Sequence, residues 1–243
     1  MLLDPKGAFF KYAGRKGGRR KGEEKGGVMT VAAISVITAA VCVFCIIYAV
    51  RSRTDGKEQI RSGGGLEDAA AAAVKEIFGI TPSCRILIRR QDGTTAEIDI
   101  AAAVPQGVLC IECKYRNAAV KGSSESDMWK AVYAGGRAFP MENPIRQNYY
   151  HVLALKRELG RHGSIRKDVP VYSICLVYAE GGCTADMLKG YKTTFLIERP
   201  EEIAGLKKLP EVLDEKEVSY INAVLMARTA TEKGREDHIR SLL

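Results

Sequence analysis

Apolar residues recur at helical spacing over residues 66–78, an alanine-rich stretch that carries Glu67, Asp68 and Glu76 and stops at Gly79, so it predicts a helix. Three apolar runs follow, over 84–90, 95–104 and 108–115, with Asp92-Gly93 as a hairpin turn between the first two and Pro105-Gln106-Gly107 between the last two. Residues 116–142 are polar and without period, which predicts irregular chain around the single tryptophan, Trp129. Asn143 can cap a helix that Pro144 opens and Gly160 ends. Apolar runs at 169–179 and 193–197 predict strands, and 201–206 and 215–227 read as helical. The order helix, three strands, helix, strand predicts an α/β domain whose sheet begins antiparallel and ends with a crossover. No internal repeat interrupts it.

Residues 28–50 contain no charge. As a helix they would cover about 34 Å, against a hydrocarbon core of about 30 Å, so they predict one transmembrane helix. The run is longer than a signal-peptide core, and no small-x-small cleavage site follows it. Residues 1–28 hold eight basic and three acidic side chains, a net of +5 out of the chain's +8. The remainder, +3, is only mildly basic and weak evidence for a polyanionic partner.

Basic residues before the apolar segment outnumber those just after it, which places the main domain outside the cytoplasm. Cysteine usage points the other way. Cys84, Cys110, Cys113, Cys175 and Cys183 lie outside the segment, an odd number and mostly in strand patterns, which suits a reducing compartment rather than a disulfide framework. Residues 15–27 contain only Arg, Lys, Gly and Glu, whose codons are purine-rich. They are either a basic flexible tail or a translated ribosome-binding sequence, with Met29 as the true start. In the second case the charge rule also puts the domain in the cytoplasm, as a single-pass protein of the cell membrane.

Glu97-Ile98-Asp99 and Glu112-Cys113-Lys114 carry the candidate chemistry. Strand alternation predicts that Glu97 and Asp99 share one face, with Ile98 and Ile100 on the other, and that a turn near Gln106 brings Glu112 and Lys114 to the same face as the two acids. The plainer alternative is a set of solvated charges on half-buried strands. Against it, the neighbouring runs are apolar on both sides, where a carboxylate is costly without a partner or a metal. Two or three acids beside one lysine can bind Mg²⁺ and activate water for phosphodiester cleavage. The pair Cys110 and Cys113 has zinc or redox spacing, but three residues apart on a strand they face opposite sides. His151, His162 and His238 suggest no zinc site.

The chain resembles the nuclease-related domain (NERD), a branch of the PD-(D/E)xK restriction-endonuclease-like superfamily, over roughly residues 65–179. The resemblance rests on Gly65-Leu66-Glu67, Ala96-Glu97-Ile98-Asp99, the run from Gly107 to Lys114, Trp129, and Asn143-Pro144-Ile145-Arg146-Gln147-Asn148 followed by His151. It implies a restriction-endonuclease-like mixed central sheet flanked by helices, with Asp99, Glu112 and Lys114 as the catalytic core. Glu67 is implied as a helix-borne acid joining Asp99 and Glu112 on Mg²⁺ or Mn²⁺, and Gln147 as a helix-borne polar residue near the site. Helix-dipole compensation is the ordinary account of Glu67, and a place on the surface or at a cap that of Gln147 and Asn148. The family's frequent histidine after the aspartate is Ile100 here.

These readings divide the chain into a basic tail (1–27), a transmembrane helix (28–50), a linker (51–65), a nuclease domain (66–198) and a C-terminal helical extension (199–243). The expected function is membrane-anchored, metal-dependent cleavage of nucleic acid, DNA favoured over RNA. The alternative is a non-catalytic membrane-tethered scaffold of the same fold that binds nucleic acid or protein. Trp129 is expected as a core or lid anchor rather than a base-stacking platform, and Tyr149 and Tyr150 can touch substrate, with one of the two expected to face the core.

Overall fold

The computed structural model describes residues 42–43, 62–90, 92–186 and 193–229. The chain forms two compact units, Met1–Ser52 and Arg53–Leu243. In the first, Cys42 and Val43 are helical. The rest of the apolar segment 28–50, the tail 1–27 and the linker up to residue 61 lie outside the described residues. Among the described residues no helix is long and apolar enough to cross a membrane.

The second unit opens on α1 (Gly63–Phe78), which starts ahead of the predicted Leu66 because Ser62 caps it, its hydroxyl accepting from the Gly65 N–H at 3.1 Å. Gly79 ends it in the left-handed conformation, φ 72°. The strands are β1 (Ser83–Arg89), β2 (Thr95–Val104), β3 (Gly107–Arg116), β4 (Ala119–Ser123), β5 (Met128–Val132) and β6 (Ala138–Glu142), then β7 (Val171–Ala179), β8 (Cys183–Asp186) and β9 (Thr194–Ile197). Helix α2 (Pro144–Gly160) separates β6 from β7, and a 3-10 helix (Pro200–Lys208) and α3 (Glu215–Met226) close the described chain.

The central sheet has the order β1-β2-β3-β7-β9. Pairing is antiparallel through β1, β2 and β3, then parallel from β3 to β7 to β9, as the predicted crossover requires. Helices α2 and α3 cover one face, with Leu155, Leu159, Ile221 and Leu225 packed on Ile86, Ile98, Ala101 and Cys110. Helix α1 and the 3-10 helix cover the other, with Leu66, Val74, Ile203 and Leu206 packed on Ile100, Leu109, Ile111 and Ile174. Burial on both faces explains why β3 reads as a continuous apolar run instead of alternating. Helix α3, expected in a C-terminal extension, is part of this core: Asn222 accepts from the Ala103 N–H and donates to the Ala103 carbonyl, each at 2.9 Å.

Residues 116–142 correct the expectation of irregular chain. They form β4, β5 and β6, which join β8 in a second sheet of order β6-β5-β4-β8. Its centre is Trp129, fully buried as an anchor with its indole N–H donating to the Ser123 carbonyl at 2.8 Å. The ring lies against Gly122, where a Cβ would stand 2.2 Å from Trp129 Cγ, so only glycine fits there.

Candidate active site

The β2–β3 ladder runs from Val104–Gly107 to Ile100–Ile111 and stops. Beyond that rung β2 continues on β1 alone, and β3 continues on β7 alone. The two strands therefore fork, and Asp99 and Glu112 occupy the first position on each arm. Asp99 spans the gap: its Oδ2 accepts from the Cys113 N–H at 2.8 Å. A buried amide must find an acceptor, and here a carboxylate stands where the ladder would have supplied a carbonyl.

The fork is accompanied by a reset of alternation. On β2, Ile98 packs in the α2/α3 layer and Ile100 in the α1 layer, so the two do not share a face as strict alternation predicts. Opposite Asp99 on β1, Arg85 has φ 53°, and the Arg85–Asp99 rung is missing from an otherwise regular register. Glu97, beyond the reset, pairs with Leu87 across β1. Cys110 and Cys113 do fall in opposite layers.

Glu112 is 1% exposed. Its Oε1 lies 2.6 Å from Lys114 Nζ and its Oε2 lies 3.2 Å from His151 Nδ1 on α2. The second approach is off the line of a hydrogen bond, and neither Oε2 nor Nδ1 has another partner. Burial pushes the Glu112 carboxyl up, but His151 and Lys114 outweigh it and hold the group below its ordinary range. Asp99 goes the other way. Burial first, and then the charge of Glu112, push it up to about 8, against the lowering effect of the Cys113 N–H. One carboxyl is held ionised and its neighbour protonated at neutral pH, the split that adjacent acids show in sites built for charge or proton transfer.

Residues 63–178 match the family described as the nuclease-related domain, NERD. The chain carries a nuclease-related domain. No curated protein and no solved structure matches it. The NERD span takes in α1, the fork, strands β4, β5 and β6 of the second sheet, α2 and most of β7, and leaves out β8.

Within the NERD domain, Glu67 on α1 faces Arg85 at 3.4 Å, and its charge also acts on Asp99. Gln147 on α2 precedes His151 by one helical turn, and its buried Oε1 has no partner. Among the described residues no group of three or more His, Cys, Asp and Glu converges closely enough to hold a metal ion. Asp99 and Glu112 still fit one hard divalent cation. Their donors are oxygens, Oε2 of Glu112 is buried without a hydrogen bond, and Asp99 is kept protonated largely by burial and its neighbour's charge, a repulsion that a cation removes.

Two polar residues of α2 lie deeper than their sequence suggests. Asn148, fully buried, donates to the Cys110 and Ile174 carbonyls and to Ser173 Oγ, at 3.0, 3.1 and 3.0 Å, tying α2 to both β3 and β7. His151 meets Glu112 rather than standing apart from other polar groups. Both sit in the stripe Ile145, Asn148, Val152, Leu155, Leu159 or beside it, and a polar residue in such a stripe was the available signal. Tyr149 and Tyr150 are exposed at 51% and 47%, so neither enters the core. They turn to each other instead, edge to face at 5.5 Å.

Proposed function

We propose that the chain is a membrane-anchored, metal-dependent nuclease that hydrolyses phosphodiester bonds in nucleic acid, with DNA favoured over RNA. The observation that carries this reading is the fork, where Asp99 and Glu112 stand at the ends of a broken ladder with Lys114 on Glu112. Asp99 and Glu112 hold Mg²⁺ or Mn²⁺, the Cys113 carbonyl is a further donor, and Glu67 is the candidate third carboxylate. The ion supplies Lewis-acid chemistry at a phosphate oxygen and favours a water nucleophile near neutral pH. Lys114 orients the attacking water and offsets charge that builds on the phosphorane oxygens. Gln147 offers its unpartnered amide oxygen to the water or the substrate.

Anchoring rests on the apolar segment 28–50. A cytoplasmic location for the domain is supported by Cys84, Cys110, Cys113, Cys175 and Cys183, all free thiols. A second reading, a scaffold that binds nucleic acid or protein without cutting it, draws on the lack of a third convergent acid among the described residues. Incubating purified chain with labelled DNA and RNA, with Mg²⁺ or Mn²⁺ and with EDTA, separates the two. The nuclease reading expects metal-dependent cleavage that Asp99→Ala and Glu112→Ala abolish and Lys114→Ala lowers sharply while leaving metal binding intact. Absence of cleavage by wild type with either ion leaves the scaffold reading, and full activity in the Asp99 variant overturns the site assigned to the nuclease.

A further inference from the structure

Away from the fork, the exposed side of α2 and the turn between β1 and β2 enclose a cavity of about 580 Å³ lined by Arg90, Asp92, Tyr150, Leu153, Ala154 and Arg157. That volume lies in the range of small-ligand sites. The Nε atoms of Arg90 and Arg157 are both buried, and neither has a partner among the described residues. Arg157 uses one terminal nitrogen on the Arg89 carbonyl. The one acid in the cavity, Asp92, already accepts from the Thr94 N–H and hydroxyl at 2.9 and 2.6 Å through Oδ1. Both arginines line the cavity, and two guanidinium groups there outnumber its one acid, a charge balance that suits an anion such as a phosphodiester. Tyr150, 47% exposed, and Leu153, 45% exposed, add an aromatic and an apolar surface against which a base can lie.

Along α2 the cavity lies on the C-terminal side of Gln147. Tyr150 follows Gln147 by three residues, about 60° around α2 and ~4.5 Å along it, and Arg157 lies two turns beyond Tyr150 on nearly the same line. We propose that this groove binds a single-stranded segment of nucleic acid, with a phosphate on Arg90 and Arg157 and a base against Tyr150, and so anchors the strand whose neighbouring linkage enters the fork. The proposal rests on the nuclease reading for the identity of the strand, but the site is built from residues that take no part in metal binding or cleavage.

Fluorescence anisotropy of a short labelled oligothymidylate with the purified full chain tests it, in EDTA so that binding is read without cleavage. Arg90→Ala and Arg157→Ala are each expected to weaken binding about five- to tenfold and to reduce the slope of log K against log salt by about 0.7. Tyr150→Ala is expected to weaken it about fivefold or more without changing that slope. Wild-type affinity in Arg90→Ala and Tyr150→Ala proteins that melt at the wild-type temperature would overturn the anchor. So would competition by thymidine monophosphate as strong as by the oligonucleotide, which marks a free-nucleotide pocket. Reading binding in EDTA keeps the two proposals apart: Arg90→Ala and Tyr150→Ala are expected to weaken oligonucleotide binding whether or not the wild-type protein cuts with Mg²⁺ or Mn²⁺.

Discussion

Asp99 and Glu112 face each other across the point where β2 and β3 part, one held protonated and the other ionised by surroundings that differ in two side chains. Glu112 has Lys114 and His151 beside it. Asp99 has only a backbone amide, the Cys113 N–H. This asymmetry makes the charge of the site depend on pH.

Asp99 should make the protein less stable as pH rises. In the unfolded chain its carboxyl loses its proton near pH 4, whereas in the fold it keeps the proton up to about pH 8. The folded state therefore binds the extra proton between those values, and stability attributable to this group falls through that window and is lowest above it. Asp99→Asn keeps an acceptor for the Cys113 N–H and removes the titration. Urea melts without metal are expected to show the variant more stable than wild type by on the order of 2 kcal/mol at pH 8, with the gap closing toward pH 5.

His151 should matter to the fold as well as to the site. Replacing it with leucine leaves Glu112 Oε2 buried without the polar group it faces, a loss of about 1–3 kcal/mol. Denaturant melts check the size. The Glu112→Gln, His151→Leu double variant should recover part of the loss, because the charge that needed His151 is gone.

Gly122 should tolerate no side chain. Gly122→Ala drives a methyl into the Trp129 ring and is expected to cost about 1–3 kcal/mol. Trp129 is the sole tryptophan, so its emission reports the second sheet directly. A red shift at native conditions is the expected outcome, and wild-type emission with a wild-type melt counts against the packing described.

Much of the fold was legible in the sequence because long apolar runs leave few alternatives. The cap of α2 at Asn143 and the turn at Gly107 are local chemistry, and they fell where the residues indicated, whereas the helix runs through Gly160 and ends at Arg161. The second sheet was not legible. Its strands are short, β4 holds Gly122 and Lys121, β6 holds Pro140, and their apolar side chains become a core only around Trp129. The candidate site shows the same division. That Asp99, Glu112 and Lys114 belong to adjacent strands follows from the pattern, but the reset of alternation at Asp99 depends on Arg85 across β1, and the partner of Glu112 comes from α2. The reset leaves no periodic trace, and His151 leaves only a polar residue beside the apolar stripe of α2. The exposed pair Tyr149 and Tyr150 illustrates the converse, since aromatic content alone predicted burial where the helix face did not provide it.

Titrating Mn²⁺ into the purified chain and following the free ion by electron paramagnetic resonance, at pH 6 and at pH 8, tests the central claim that Asp99 and Glu112 form one metal site. Binding must displace the Asp99 proton, so the account predicts a single ion held roughly tenfold or more tightly at pH 8 than at pH 6. It also predicts that Glu112→Gln abolishes this binding and that Asp99→Asn weakens it and removes its pH dependence. Undiminished Mn²⁺ binding in the Glu112→Gln protein, or no binding by wild type at pH 8, would contradict the account.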